Sequence, residues 1–139
     1  MKEVATALLF DKDNRLLIYL RDNKPEIAYP NYWDLFGGLV EPGESPQQAL
    51  LREINEELNV DVSHYQLLFT VDTDDLIGNP NRKYVFLVPT HYAYESFQLQ
   101  EGQCLKAIRL KEYTQYEFAN VLSSILASFI AHEAAIPYL

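Results

Sequence analysis

The chain has 139 residues, 48% hydrophobic and 22% charged, which suits one domain with its own core and matches the ordinary make-up of globular proteins. Its formal net charge is −9, from 20 acidic and 11 basic residues, which argues against a binder of nucleic-acid polymers, where a basic stripe is expected. The single cysteine, Cys104, excludes an internal disulfide framework and suits a reducing, cytoplasmic setting. No apolar stretch approaches the roughly 18 residues of a membrane span. In chain order, residues 4–10 and 16–20 are apolar runs around Asp11-Lys12-Asp13-Asn14-Arg15 and are expected to form a hairpin. Residues 21–31 contain Pro25 and Pro30 and read as a loop. A short strand at 33–36 leads into Gly37-Gly38. Ser45 as N-cap, Pro46 at the first helical position and Gln48 completing a Ser-x-x-Gln capping box then start a helix. It runs to Leu58 and ends at Asn59, a residue that tolerates the left-handed conformation. Residues 66–71 and 84–88 read as strands joined by a polar loop, 72–83, with 92–97 a weaker strand and 105–110 a further one. Residues 118–132 predict a second helix, with Val121, Leu122, Ile125, Phe129 and Ile130 on its apolar side. Strands combined with two separated helices predict an α/β domain over 1–139, a mixed β-sheet sandwiched between helices.

The first helix carries the chemistry. Leu50, Leu51, Ile54 and Leu58 share one side, which should face the core. Glu53, Glu56 and Glu57 stand at i, i+3 and i+4, so their carboxylates project from the other side. Like charges so placed repel by roughly a few tenths of a kcal/mol per pair. A hard divalent cation that takes oxygen ligands accounts for such clustering. A solvated acidic face is the alternative.

The surrounding spacing is Gly38, five residues, Glu44, seven residues, then Arg52-Glu53-Ile54-Asn55-Glu56-Glu57-Leu58-Asn59-Val60. This resembles the box of the Nudix hydrolase family, whose MutT-like members cleave nucleoside diphosphate derivatives. One position departs: Asn59 stands where the family has glycine. Trp33-Asp34-Leu35-Phe36-Gly37-Gly38 is similar to the family's strand before the box, with Phe36 where many members have proline. The resemblance implies the family fold and a Mg2+-dependent hydrolase, with Mn2+ able to substitute. Its substrate would be a nucleoside triphosphate, an oxidised triphosphate, ADP-ribose or a nucleotide sugar. It implies that Glu53, Glu56 and Glu57 hold the ion, aided by the Gly37 carbonyl and a supporting Glu44, and that Arg52 orients the glutamates. Glu53 would also activate the attacking water. Glu101, in Glu101-Gly102-Gln103, resembles a loop carboxylate that is a ligand or the general base in related members. Glu95 competes with it, and a solvated loop glutamate is the other reading. The resemblance leaves room for a homodimer, whose interface the ten tyrosines would suit. A catalytically inactive Nudix-fold nucleotide sensor is the alternative function. Isomerase chemistry on an isoprenoid diphosphate would need a catalytic cysteine, whereas Cys104 is expected to pack within a strand edge.

Substrate contacts lie outside the box. Tyr29, Tyr32 and Trp33 either stack on a base or pack internally. Asn120 resembles a base-reading asparagine of some members, or caps the last helix. Arg21, Lys24, Arg82 and Lys83 are expected on loops, as partners for leaving-group charge or as solvated cations. His64, His91 and His132 lack zinc spacing, and Asp72, Asp74 and Asp75 lack the calcium-loop pattern.

Overall fold

The computed structural model describes residues 1–74 and 77–139. Strand β1 (Lys2–Phe10) is fully covered from Ala5 onward. Burial on both faces explains why its sequence is a continuous apolar run without alternation. It pairs in parallel with β6 (Pro80–Pro89), from Lys2 opposite Asn81 to Phe10 opposite Pro89. On its other side it pairs antiparallel with β4 (Phe36–Leu39), from Val4 opposite Leu39 to Ala7 opposite Phe36. Strand β2 (Leu16–Leu20) follows β1 through the expected hairpin, then pairs with β3 (Trp33–Asp34) and β7 (Cys104–Ile108). The hairpin turn is organised by the buried Asp11 carboxylate, which accepts the Asp13 and Arg15 amides at 2.9 and 3.0 Å. β5 (Gln66–Asp74) forms the outer edge against β6.

Helix α1 (Pro46–Leu58) covers one face, packing Ala49, Leu50, Ile54 and Leu58 on Ala5, Ala7, Leu9, Leu17, Phe36 and Phe86. Helix α2 (Leu122–Ile130) covers the other with Leu122, Ile125, Leu126 and Phe129, against Leu8, Phe10, Leu16, Ile18 and Val85. The mixed sheet therefore lies between helices, as the residue pattern predicts. The start and stop of α1 also follow that pattern. Ser45 Oγ accepts the Gln48 amide at 3.1 Å, Gln48 Oε1 accepts the Ser45 amide at 2.8 Å, and Asn59 sits at φ 57°.

Several expected boundaries move. Most of 72–83 belongs to the β5–β6 ladder, where Asp72 lies opposite Arg82 and pairs with it at 2.8 Å. Charge pairing across an exposed edge stands in for apolar alternation there. Asp75 lies outside the described residues. Residues 92–97 hold a 3₁₀ turn at Tyr94–Ser96, and 110–115 form another instead of prolonging β7. The second helix starts at Leu122, four residues late, because 117–119 are drawn onto β3. Trp33 donates its amide to the Glu117 carbonyl and accepts the Ala119 amide, both at 2.9 Å. Asn120 turns the chain at φ 52°, and the helix is capped at Val121. Cys104 is exposed, contrary to its expected packing, because it opens β7 on that strand's outward face with Lys106.

Candidate active site

The site begins where β4 passes over α1. Gly37 adopts φ 133°, and a Cβ there would lie 1.9 Å from the Ala5 carbonyl oxygen. At Gly38 a Cβ would lie 2.4 Å from the Glu53 carboxyl carbon. Only glycine allows this backbone to approach both β1 and the helix carboxylates. The Gly37 amide donates to Glu57 Oε1 at 3.0 Å.

Arg52 ties the box together. Its Nε and Nη2 meet the two oxygens of Glu44 at 2.8 and 3.0 Å, a bidentate geometry that guanidinium matches well. Nη2 also donates to the Leu39 carbonyl at 3.0 Å. Nη1 reaches Glu53 Oε1 at 2.8 Å and Glu56 Oε2 at 3.4 Å. Arg52 thus does more than pair with Glu56 one turn away. It fastens β4 and the following turn to α1 and fixes three carboxylates.

The electrostatics divide these acids. Hydrogen bonds from Arg52 hold Glu44 down at about 2. Burial pushes Glu57 up to about 8, reinforced by the charges of Glu53, Asp34 and Glu101 and opposed by the Gly37 amide. Glu53 is also raised by burial, with Arg52 pulling against the shift. Among the described residues Glu57 has no ion pair, and no three acidic, histidine or cysteine side chains converge closely enough to enclose an ion. Arg52 is the cation that Glu44, Glu53 and Glu56 share, whereas Glu57 has none. The donors beside Gly37 and Gly38 are all oxygens, one of them a half-buried carboxylate without a counter-charge, and the two glycines bring the backbone against them with no side chain between. That set fits a hard divalent cation.

Glu101 reaches this group through the loop before β7. The Gln98 and Gln100 amides donate to the Leu58 and Glu57 carbonyls at 3.1 and 3.0 Å, pinning the loop to the end of α1. Glu101 is exposed, and its charge is among those that raise Glu57.

On the far side of Gly37-Gly38 lies a cavity of about 700 Å³, bounded by β1, β4, β6, the end of β2 and the turn before α2. Arg21, Tyr29 and Asn120 line it. Tyr32 and Trp33 do not: Tyr32 meets Tyr29 edge-on at 5.6 Å, and Trp33 meets Tyr116 at 5.2 Å beneath Lys106. Tyr29 stands at φ 50°, a rare conformation for a bulky residue and one that collects at functional sites. Lys24 is exposed beside Asp22, and Arg82 pairs with Asp72, so neither faces the cavity. Lys83 is on a strand and not on a loop: it is buried in β6 and lines the cavity.

Among the cavity residues that the sequence pattern did not single out are Tyr19, Asp34 and Asn81. Asp34 accepts Arg21 Nη1 at 2.8 Å, the Tyr19 hydroxyl at 3.2 Å and the Leu35 amide at 2.7 Å. Burial raises both Asp34 and Tyr19, with Arg21 pulling each back. The available signals were a lone acid beside a glycine pair, and Asn81 and Lys83 two apart in a strand.

The NUDIX domain family matches residues 2–129. The CTP pyrophosphohydrolase of Escherichia coli K12 is 30% identical over 137 residues, covering 99% of this chain and 97% of that protein. The 8-oxo-dGTP diphosphatase of Proteus vulgaris is 39% identical over 71 residues, a match that spans 51% of this chain and 62% of its own length. The solution structure of the E. coli ORF135 protein superimposes with a TM-score of 0.80 at 29% identity, covering 99% and 94% of the two chains. No described helix is long and apolar enough to cross a membrane. The chain belongs to the Nudix hydrolase family and is an enzyme of its pyrophosphohydrolase kind.

Proposed function

We propose that this protein hydrolyses nucleoside triphosphates, unmodified or oxidised, to the monophosphate and pyrophosphate in a magnesium-dependent reaction. The observation that carries the reading is Glu57, a half-buried carboxylate without a cation, separated only by Gly37-Gly38 from a nucleotide-sized cavity. The base and sugar occupy the cavity, and the phosphates cross the glycine pair toward α1. Glu53, Glu56, Glu57 and the Gly37 carbonyl would hold Mg2+, or Mn2+ in its place, with Glu44 in support. When bound, the ion supplies charge neutralisation on the phosphates and lowers the pKa of a coordinated water.

The remaining work belongs to the protein. Arg52 keeps Glu53 and Glu56 turned toward β4, so that they need little reordering. Glu53, or Glu101 on the loop before β7, takes the proton from the water that attacks phosphorus. Asp34 and Tyr19 hold Arg21 against the cavity wall. The names of the E. coli and Proteus relatives support a triphosphate over ADP-ribose or a nucleotide sugar. A non-catalytic nucleotide sensor is less consistent with the intact Arg52 network.

A panel of the four triphosphates, 8-oxo-dGTP, ADP-ribose and UDP-glucose, assayed with Mg2+ and with EDTA, tests the reading. Metal-dependent release of monophosphate from a triphosphate is the expected result. Tight binding with no turnover would establish the sensor reading instead.

A further inference from the structure

Lys83 is 7% exposed and Asn81 5%, and both line the cavity at alternate positions of β6. A lysine this buried is unusual unless well paired. Here Nζ has one hydrogen bond, 3.0 Å to Asn81 Oδ1. The nearby acid, Asp34, already pairs with Arg21 at 2.8 Å. Thr73 Oγ1 donates to the same Asn81 oxygen at 3.3 Å. Two donors on that oxygen fix the orientation of the amide. Among the described residues the amide nitrogen and the other two ammonium hydrogens form no further hydrogen bond. The floor of the cavity therefore offers donors in two adjacent places, while the carboxylate on its wall, Asp34, is already engaged by Arg21, Tyr19 and the Leu35 amide. Its nearby walls, Val4, Leu35, Ala119 and Leu122, are apolar and suit the faces of a flat ring better than a hydrated phosphate.

We propose that Lys83 and Asn81 read the base, selecting guanine and cytosine nucleotides over adenine nucleotides. Guanine carries two neighbouring acceptors at O6 and N7, an edge that lysine recognises. Cytosine carries them at O2 and N3. Adenine presents an amino group beside each acceptor on the corresponding edges, so a donor would face a donor. This assignment deepens the triphosphatase reading and rests on the cavity being its base site.

The test uses the full chain in two arms. In the first, GMP, CMP and AMP are titrated without metal by calorimetry, with inorganic pyrophosphate as a control. In the second, kcat and KM are measured for dGTP, dCTP and dATP with Mg2+. The unaltered protein should prefer the guanine and cytosine ligands. Lys83→Met should weaken these by roughly tenfold to a hundredfold while leaving AMP and pyrophosphate unmoved, and in turnover the loss should fall on KM. Lys83→Arg should retain the preference. Asn81→Asp exchanges a donor for an acceptor and should shift the preference toward adenine. It also decides the matter if Lys83→Met does not fold. Equal loss for all three bases, weakened pyrophosphate binding, or no base preference in the unaltered protein would overturn the proposal. Absence of turnover on every triphosphate overturns the hydrolase reading, whereas the monophosphate titrations judge Lys83 by themselves.

Discussion

Glu44, in the turn before α1, and Glu57, in its last turn, are the same side chain, and their surroundings drive them in opposite directions. Glu44 receives two N–H groups of Arg52 and the Glu41 amide, and it is held at about 2. Glu57 receives one backbone amide, lies half-buried with the charges of Glu53, Asp34 and Glu101 acting on it, and rises to about 8. An acid already neutralised by a guanidinium is a fastening. An acid desolvated without a counter-charge is poised to take up either a proton or a cation. The contrast assigns different work to carboxylates that look equivalent in the box, with Glu53 between them because Arg52 and burial both act on it.

The largest expected effect comes from removing charge where no cation offsets it. Glu57→Gln keeps an oxygen for the Gly37 amide but should lower kcat by roughly 10²–10⁴-fold, as should Glu53→Gln. Glu44→Gln should lose far less, so steady-state rates on one triphosphate rank the three. Equal losses would erase the contrast.

A pH titration of stability sharpens it further. Without a metal ion, burial pushes the folded Glu57 up to about 8, above the 4.5 of an ordinary glutamate. The native state then binds more protons between these values, so stability is greatest below the lower one and falls as pH rises through the higher. The decline should reach at most about 4 kcal/mol in urea unfolding at pH 9 compared with pH 4.5. Glu57→Gln should flatten that portion of the curve, while Glu44→Gln should leave it in place.

Arg52→Lys retains a charge but loses the fork that grips Glu44 while touching Glu53. A fall in kcat of about tenfold to a hundredfold is expected. The Glu44 carboxyl, followed by NMR, should return toward the ordinary carboxylate range. The smallest effect should come from Gly38→Ala, whose methyl would press on the Glu53 carboxylate. Metal affinity measured with Mn2+ should weaken by roughly tenfold with the rest of the fold intact.

The sequence by itself determined α1. Ser45, Pro46, Gln48 and Asn59 specify its ends, and the spacing of Leu50, Ile54 and Leu58 turns Glu53, Glu56 and Glu57 outward. Capping and helical periodicity act between residues a few positions apart, so they can be read along the chain. Tertiary structure alone decided that Glu57 is partly desolvated without a cation while Glu44 is neutralised, and that the loop at 98–103 brings the charge of Glu101 to bear on Glu57. It also placed Lys83 and Asn81 in a cavity with Asp34 and Arg21. Those outcomes depend on β1 pairing with β6, some 79 positions further along the chain, and on the resulting loss of water around particular charged groups. Desolvation is a property of the assembled neighbourhood, and no short stretch of residues encodes it.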